Sequence, residues 1–390
     1  AEEAPIVEFV SNVFSQAIDT GASDIHIEPE ENLFNIKLRI DGVLISKMEQ
    51  PKDRLAAVAS RIKLISGLDI AERRLPQDGR VSTRVSGREI DIRVSTVPTV
   101  SGESIVLRIL PKEQENISID FLGMERDHLS LIKQWARHSG GIFLITGPTG
   151  SGKSTTLHSM ISDANDGERK IVSVEDPVEI RAQGVTQIQA HTDIGYSFAR
   201  ALKAILRHDP DVIMIGEIRD LETAEIAIRS ALSGHLVLST LHTNDALSSF
   251  TRLIDMGIEP FLVSSALRGV QAQRLVRKVC DKCSVPINLT SEIKEWLKTA
   301  SEGLREKNFR KAVGCEDCQN TGFRGRIGIY QMVQVDPDLK RRILEGDSEI
   351  QLREYCSDKN IRSLMDDGMM KASRGLTTIE ELHRVISSEN

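Results

Sequence analysis

Aromatic side chains make up only 4% of this 390-residue chain, so few rings are available to stack on the bases of a single-stranded nucleic acid. Positive charge is not in excess either. The formal net charge of −7 leaves no global footprint for a phosphate backbone and leaves room only for a local basic channel. No run of about 18 uncharged apolar residues occurs, so no transmembrane segment is expected. The acidic start Ala1-Glu2-Glu3 is unlike a secretory signal. Any membrane contact is therefore expected to pass through partners. The first residue is not Met, and a further segment is expected upstream of it. Cysteine is sparse as well. Of five in all, Cys356 stands alone, and the other four form two CxxC pairs, Cys280 with Cys283 and Cys315 with Cys318. In a chain of cytosolic character that pattern argues for metal rather than disulfides.

What is present is an organised α/β sequence, long enough for about two to four domains. Apolar residues fall at helical spacing from Ile6 to Ile18, and the stretch Ser23 to Glu28 then alternates as a strand does. Asp41-Gly42 between Phe34–Ile40 and Val43–Ile45 reads as a hairpin turn. A helix is expected over Leu55 to Ser66. Three β-rich runs follow, Arg80 to Val85, Glu89 to Val94 and Ser104 to Leu110, with the spacing of an antiparallel sheet. The polar stretch ending at Gly123 marks a hinge. Beyond it the apolar runs Ile142–Ile145, Ile171–Val174, Val212–Ile215 and Leu236–Leu241 are spaced by helical stretches, the rhythm of a parallel sheet with covering helices. The expected domains are a front α/β domain over 1–111, a linker over 112–123, a nucleotide-type core over 124–279, a cysteine insertion over 280–322 and a helical C-terminal domain over 323–390.

The core carries a complete phosphate-loop motif. Gly147, Pro148, Thr149, Gly150, Ser151, Gly152, Lys153 and Ser154 match GxxxxGK[ST] directly after an apolar strand and before a helical stretch, the context the motif requires. Glycines let successive N–H groups converge on phosphate oxygens, Lys153 reaches the outer phosphates, Ser154 ligates magnesium, and Thr155 adds a further hydroxyl. Glu217 ends the next acidic strand, where a carboxylate can polarise the attacking water. Gly216 stands where many such folds place a magnesium-binding Asp, so the metal is expected on Ser154, phosphates and water, with another acid helping. In the cluster Glu175-Asp176-Pro177-Val178-Glu179, Glu175 or Glu179 can orient magnesium or water, or the cluster is an Asp-Pro turn with solvated acids. His235 and His242 bracket the apolar strand between them, and either can reach a terminal phosphate. The two CxxC pairs suit tetrahedral thiolate coordination of structural zinc, although their separation is longer than the commonest zinc ribbon's.

Together the phosphate loop, the Val174-Glu175-Asp176-Pro177 box, Gly216-Glu217-Ile218-Arg219-Asp220 and the two-histidine box resemble the secretion-superfamily ATPases, and among them the type II secretion ATPases of the GspE family. The likeness extends to Gly21–Glu28, Arg39-Ile40-Asp41-Gly42 and Pro76–Arg80, covering nearly the whole chain. It implies a RecA-like P-loop core with a smaller PAS-like α/β front domain, a tetracysteine zinc insertion, a homo-hexameric ring using ATP, Mg2+ and Zn2+, and attachment to the inner membrane from the cytoplasm through platform proteins. By the same resemblance Lys153 is the phosphate lysine, Glu217 the catalytic acid and His235 and His242 the histidine-box pair. Arg93 and Arg108 are front-domain arginines that approach nucleotide, and Arg207, Arg219 and Arg252 are core arginines near the subunit boundary. Guanidinium forks suit phosphate charge, while each arginine taken alone is more often a surface ion-pair partner. Three rivals stand beside this reading: a type IV pilus-assembly ATPase, a nucleic-acid translocase and a nucleotide-binding adaptor. No direct contact with nucleic acid is expected.

Overall fold

The computed structural model describes residues 3–85, 87–111, 118–288, 290–291, 294 and 308–386. The chain divides into two compact units, Ala1–Glu115 and Asn116–Asn390.

In the first unit, α1 (Glu3–Asp19) leads into β1 (Asp24–Pro29), β2 (Leu33–Ile40) and β3 (Val43–Pro51), then α2 (Leu55–Ile65), then β4 (Gln77–Val85), β5 (Arg88–Thr99) and β6 (Gly102–Pro111). The strands form one sheet in the order β3-β2-β1-β6-β5-β4, paired antiparallel throughout. The period of two along each strand decides its faces. Ile25, Ile27, Ile36, Leu38, Ile92, Val94, Ile105 and Leu107 join Val10, Val13 and Phe14 of α1 and Val58 and Ile62 of α2 in one buried core. The alternate residues, Asp24, Arg39, Arg93 and Arg108 among them, therefore share the sheet's other, polar face.

The second unit opens with the turn Ile119–Phe121. Then come α3 (Arg126–Ala136), β7 (Gly141–Thr146), α4 (Lys153–Ala164), β8 (Ile171–Glu175), β9 (Val185–Gln189), α5 (Phe198–Ile205), β10 (Val212–Ile215), α6 (Leu221–Leu232) and β11 (Leu236–Leu241). After α7 (Ser248–Asp255) and α8 (Pro260–Ala266) follow β12 (Leu267–Val279), the short β13 (Val285–Pro286) and β14 (Arg310–Lys311), and β15 (Phe323–Gln334). Four helices close the chain: Pro337–Glu345, Glu349–Asp358, Leu364–Ser373 and Ile379–Ile386. The main sheet has seven strands in the order β15-β12-β7-β11-β10-β8-β9, parallel except for β15. Both faces are covered, which is why its central strands read as unbroken apolar runs. Ile142, Leu144, Ile213, Ile215 and Val237 enter one core. Their neighbours Phe143, Ile145, Val212, Met214 and Leu238 enter the other.

Three features differ from the sequence expectation. The expected C-terminal helical domain over 323–390 opens with β15, which pairs antiparallel with β12 as the sheet's edge, and its helices begin at Pro337. The helices after it are not a separate body, because Leu339, Ile343, Leu352, Leu364 and Leu382 share a core with the sheet. The main sheet also gains β9 and β12, which no apolar run announced; β12 buries Gln271, Gln273 and Arg274, so its polarity hides a central strand. Residues 112–117 of the expected linker lie outside the described residues, as do most of those between 289 and 307 in the expected cysteine insertion.

Candidate active site

The parallel strands bring their carboxyl ends to one edge of the sheet, and the motif residues collect there. Thr146 ends β7 and the phosphate loop follows at once, running into the first turn of α4 at Lys153. Gly147 takes φ +147°, and a Cβ there would stand 2.5 Å from the Gln273 carbonyl oxygen, so only glycine lets the loop lie this close to β12. Lys153 is 9% exposed. Its ammonium donates to the carbonyls of Gly147 and Pro148 at 2.8 and 2.9 Å, which centres the charge in the loop. Burial, opposed by the attraction of Glu217 and helped by the repulsion of Arg274, lowers its pKa to about 8. Ser154 and Thr155 are exposed at the start of α4, free of the core packing that takes up Thr156.

Glu217 lies just beyond β10, two strands from β7, with β11 between them. Two hydroxyls of β11 pin that tip: Ser239 Oγ donates to the Ile215 carbonyl at 2.9 Å and Thr240 Oγ1 to that of Gly216 at 2.7 Å. The Glu217 carboxylate is paired with the Arg219 guanidinium and, at 3.3 Å, with His242 Nε2. Burial alone would raise its pKa, but these partners outweigh it and the carboxyl sits below its ordinary range. His242 begins the segment after β11, and Thr243 anchors that segment to β7, accepting or donating at 2.6 Å from Thr146 Oγ1.

Glu175 takes a different place from the one its motif suggested. It is 6% exposed and turned inward, bonded to His158 Nε2 at 3.0 Å, Ser173 Oγ at 2.7 Å and Gln187 Nε2 at 3.1 Å. Burial pushes its pKa up, and these three bonds more than reverse the effect. It therefore acts as a staple between α4, β8 and β9, while Asp176 and Glu179 are the exposed members of the cluster. His235 is also set apart. It precedes β11, where its carbonyl accepts from the Gly141 N–H at the start of β7, so it marks the edge opposite the phosphate loop. There it borders a cavity of about 740 Å³ with Arg137, His138, Asp163, Asp166 and Asp211. Arg207, just ahead of β10, is exposed and donates to the Lys203 carbonyl at 2.9 Å. Arg252 is exposed on α7.

In the first unit the expected arginines sit in one register row. Arg80 of β4 lies opposite Arg93 of β5, Arg93 opposite Arg108 of β6, Arg108 opposite Asp24 of β1 and Asp24 opposite Arg39 of β2. Four guanidinium groups thus share one register row with a single carboxylate, to which Arg108 Nε donates at 2.9 Å. Like charges placed directly opposite each other destabilise a sheet, and the row suits an anionic ligand that would relieve the repulsion. Arg39 and Arg80 lie in motifs that carry the family resemblance but were given no role there; cross-strand register places them in the row.

The four paired cysteines converge, all Sγ atoms lying within 4.8 Å of one another. Cys280–Cys315, Cys283–Cys318 and Cys315–Cys318 separations are 3.9, 3.8 and 3.7 Å. Four sulfurs about 2.3 Å from one zinc ion stand about 3.8 Å apart, so donor set and geometry both fit. The Gly314, Cys315 and Gly322 N–H groups donate to Cys283, Cys318 and Cys318 sulfur at 3.3, 3.2 and 3.2 Å, which stabilises thiolates. Cys356 is apart from this cluster, buried in the helix Glu349–Asp358.

Two residues at the site carried no motif. His158 repeats nothing in the sequence and is found only through Glu175. Gln273 sits on β12, whose pattern did not announce a strand.

A family model described as type II/IV secretion system protein matches residues 1–384. The chain is 45% identical over 388 residues to type II secretion system protein E of Pseudomonas aeruginosa, covering 100% of this chain and 77% of that one. It is 44% identical over 384 residues to the type IV pilus assembly ATPase PilB of Myxococcus xanthus, covering 98% and 68%. Among solved structures, that of the pilus retraction motor PilT with bound ADP superposes with a TM-score of 0.63 at 28% identity, over 98% of this chain and 97% of that one. With a RecA-like P-loop core, a carboxylate at the carboxyl edge of its sheet and a cysteine cluster in place, this chain belongs to the type II/IV secretion system protein family.

Proposed function

We propose that this chain hydrolyses Mg-ATP to ADP and phosphate as one subunit of a homo-hexameric ring, and that the ring energises pseudopilus assembly in type II secretion. The observation that carries the reading is the complete phosphate loop at the carboxyl edge of a parallel sheet that also bears an ionised, oriented Glu217. Lys153 and the loop N–H groups bind the phosphate tail. The hydroxyl of Ser154 contributes to the magnesium site, and the ion neutralises phosphate charge when bound. Glu217, ionised below its usual range and held by Arg219 and His242, accepts a hydrogen bond from the attacking water and orients it. Arg93 and Arg108 supply positive charge from the polar face of the first unit, and Arg207, Arg219 and Arg252 supply it at the subunit boundary. Cys280, Cys283, Cys315 and Cys318 hold structural zinc with no open coordination position, so the metal braces the fold and does no chemistry.

The chain works at the cytoplasmic side of the inner membrane, docked through platform proteins; among the described residues no helix is long and apolar enough to cross a membrane. A role in type IV pilus assembly is the second reading, favoured by the PilB relative. Phosphate release by the purified ring tests the enzyme. Loss of exoprotein secretion on deletion, with surface pili retained, supports the first reading, and the opposite phenotype supports the second.

A further inference from the structure

The phosphate loop is gripped by a side chain outside its own motif. β12 pairs with β7 as far as Ala272 opposite Thr146, and Gln273 is the first residue beyond that pairing. Its side chain is buried, and both ends of the amide are engaged. Nε2 donates to the Ser151 carbonyl at 2.7 Å. Oε1 accepts from Thr156 Oγ1 at 2.9 Å and from Gln271 Nε2 at 2.8 Å. The Ser151–Gly152 peptide is trans and planar, so its C=O and N–H point in opposite directions. Holding the carbonyl onto β12 therefore turns the Gly152 N–H away from β12. Gly152 adopts φ +89°, and a Cβ there would lie 3.2 Å from Gln273 Nε2, so the approach of the amide depends on glycine at that position.

We propose that Gln273 is a positioning residue for nucleotide binding, selecting the orientation of the Ser151–Gly152 peptide in which a phosphate oxygen meets an N–H instead of a carbonyl. A half-turn of this peptide would set a carbonyl oxygen against phosphate and leave Gln273 Nε2 buried without an acceptor, and a buried polar group without a partner is disfavoured. The inference rests on the reading of Gly147 to Ser154 as a phosphate-binding loop.

The test uses the full chain and ADP with magnesium, followed by calorimetry. Gln273→Leu removes the donor and is expected to weaken ADP binding about tenfold or more. In turnover it raises KM about tenfold and lowers kcat less than threefold, because Lys153 and Glu217 are intact once nucleotide is bound. Gln273→Glu separates positioning from packing. Its carboxylate cannot donate to the Ser151 carbonyl at pH 8, whereas the protonated acid can, so ADP affinity recovers as pH falls toward 6 by a factor the wild type does not show. Wild-type affinity in Gln273→Leu, or a wild-type pH profile in Gln273→Glu, overturns the proposal; if Gln273→Leu does not fold, the Gln273→Glu profile decides alone. If the wild-type chain itself bound no ADP, the reading of the loop would fall and this proposal with it.

Discussion

Single side chains at the loop carry the sharpest consequences. Glu217→Gln keeps the shape of the site and removes the negative charge, so phosphate release is expected to fall about 100-fold or more while ADP binding stays within a few-fold of wild type. Lys153 titrates where few lysines do. With its pKa near 8, the ammonium is lost as pH rises past 8, and ADP affinity measured by calorimetry is expected to drop about tenfold per pH unit there. The stability term has the opposite sign. A lysine brought from 10.5 to about 8 costs the folded state while it is charged, and that cost is relieved between the two values, because the unfolded chain then holds more protons. At this scale the sequence was informative for the loop, where glycine, lysine and serine act through chemistry local to one turn. It was not informative for Glu175. A carboxylate at a strand end looks the same in sequence whether it faces the ligand crevice or bonds inward to His158.

Between elements, hydroxyls and buried pairs set the positions of the strand tips. His158→Ala leaves Glu175 buried with only Ser173 and Gln187, so urea unfolding is expected to show a loss of roughly 2–4 kcal/mol. The Glu175 carboxyl is held below its ordinary value of 4.5, so this pairing contributes stability above that pH and loses it as the pH falls below. The arginine row behaves differently. Arg108 is 58% exposed along its side chain, and exposed ion pairs contribute little to folding. Arg108→Ala is therefore expected to leave the melting temperature within about 2 °C of wild type while lowering kcat at least tenfold. The row was only half legible in the sequence, since a family resemblance pointed to Arg93 and Arg108, but only strand register brings Arg80 and Arg39 alongside them.

For the molecule as a whole, the chain comprises two units with separate cores. Residues 116–390 contain the loop, Glu217 and the cysteine cluster, and they have a packed core of their own. Expressed alone, they are expected to bind ADP within about threefold of the full chain and to hydrolyse ATP at least tenfold more slowly, because the arginine row belongs to the other unit. The cysteine cluster closes on itself. Cys283→Ser combined with Cys315→Ser is expected to reduce zinc, measured by elemental analysis, from about one ion per chain to near none, and Cys356→Ser to leave the content unchanged.

By itself the sequence determined what is local: the phosphate loop, the acidic strand tip, the paired cysteines, the hairpins and the apolar parallel strands, because each is written within one turn or one period of a repeat. Tertiary structure alone decided what depends on partners far apart in the chain. Which acid faces the crevice, which arginines share a row and which polar strand lies buried beneath the loop all follow from register and burial. Those are set when distant segments exclude water together, and no short stretch of sequence records them.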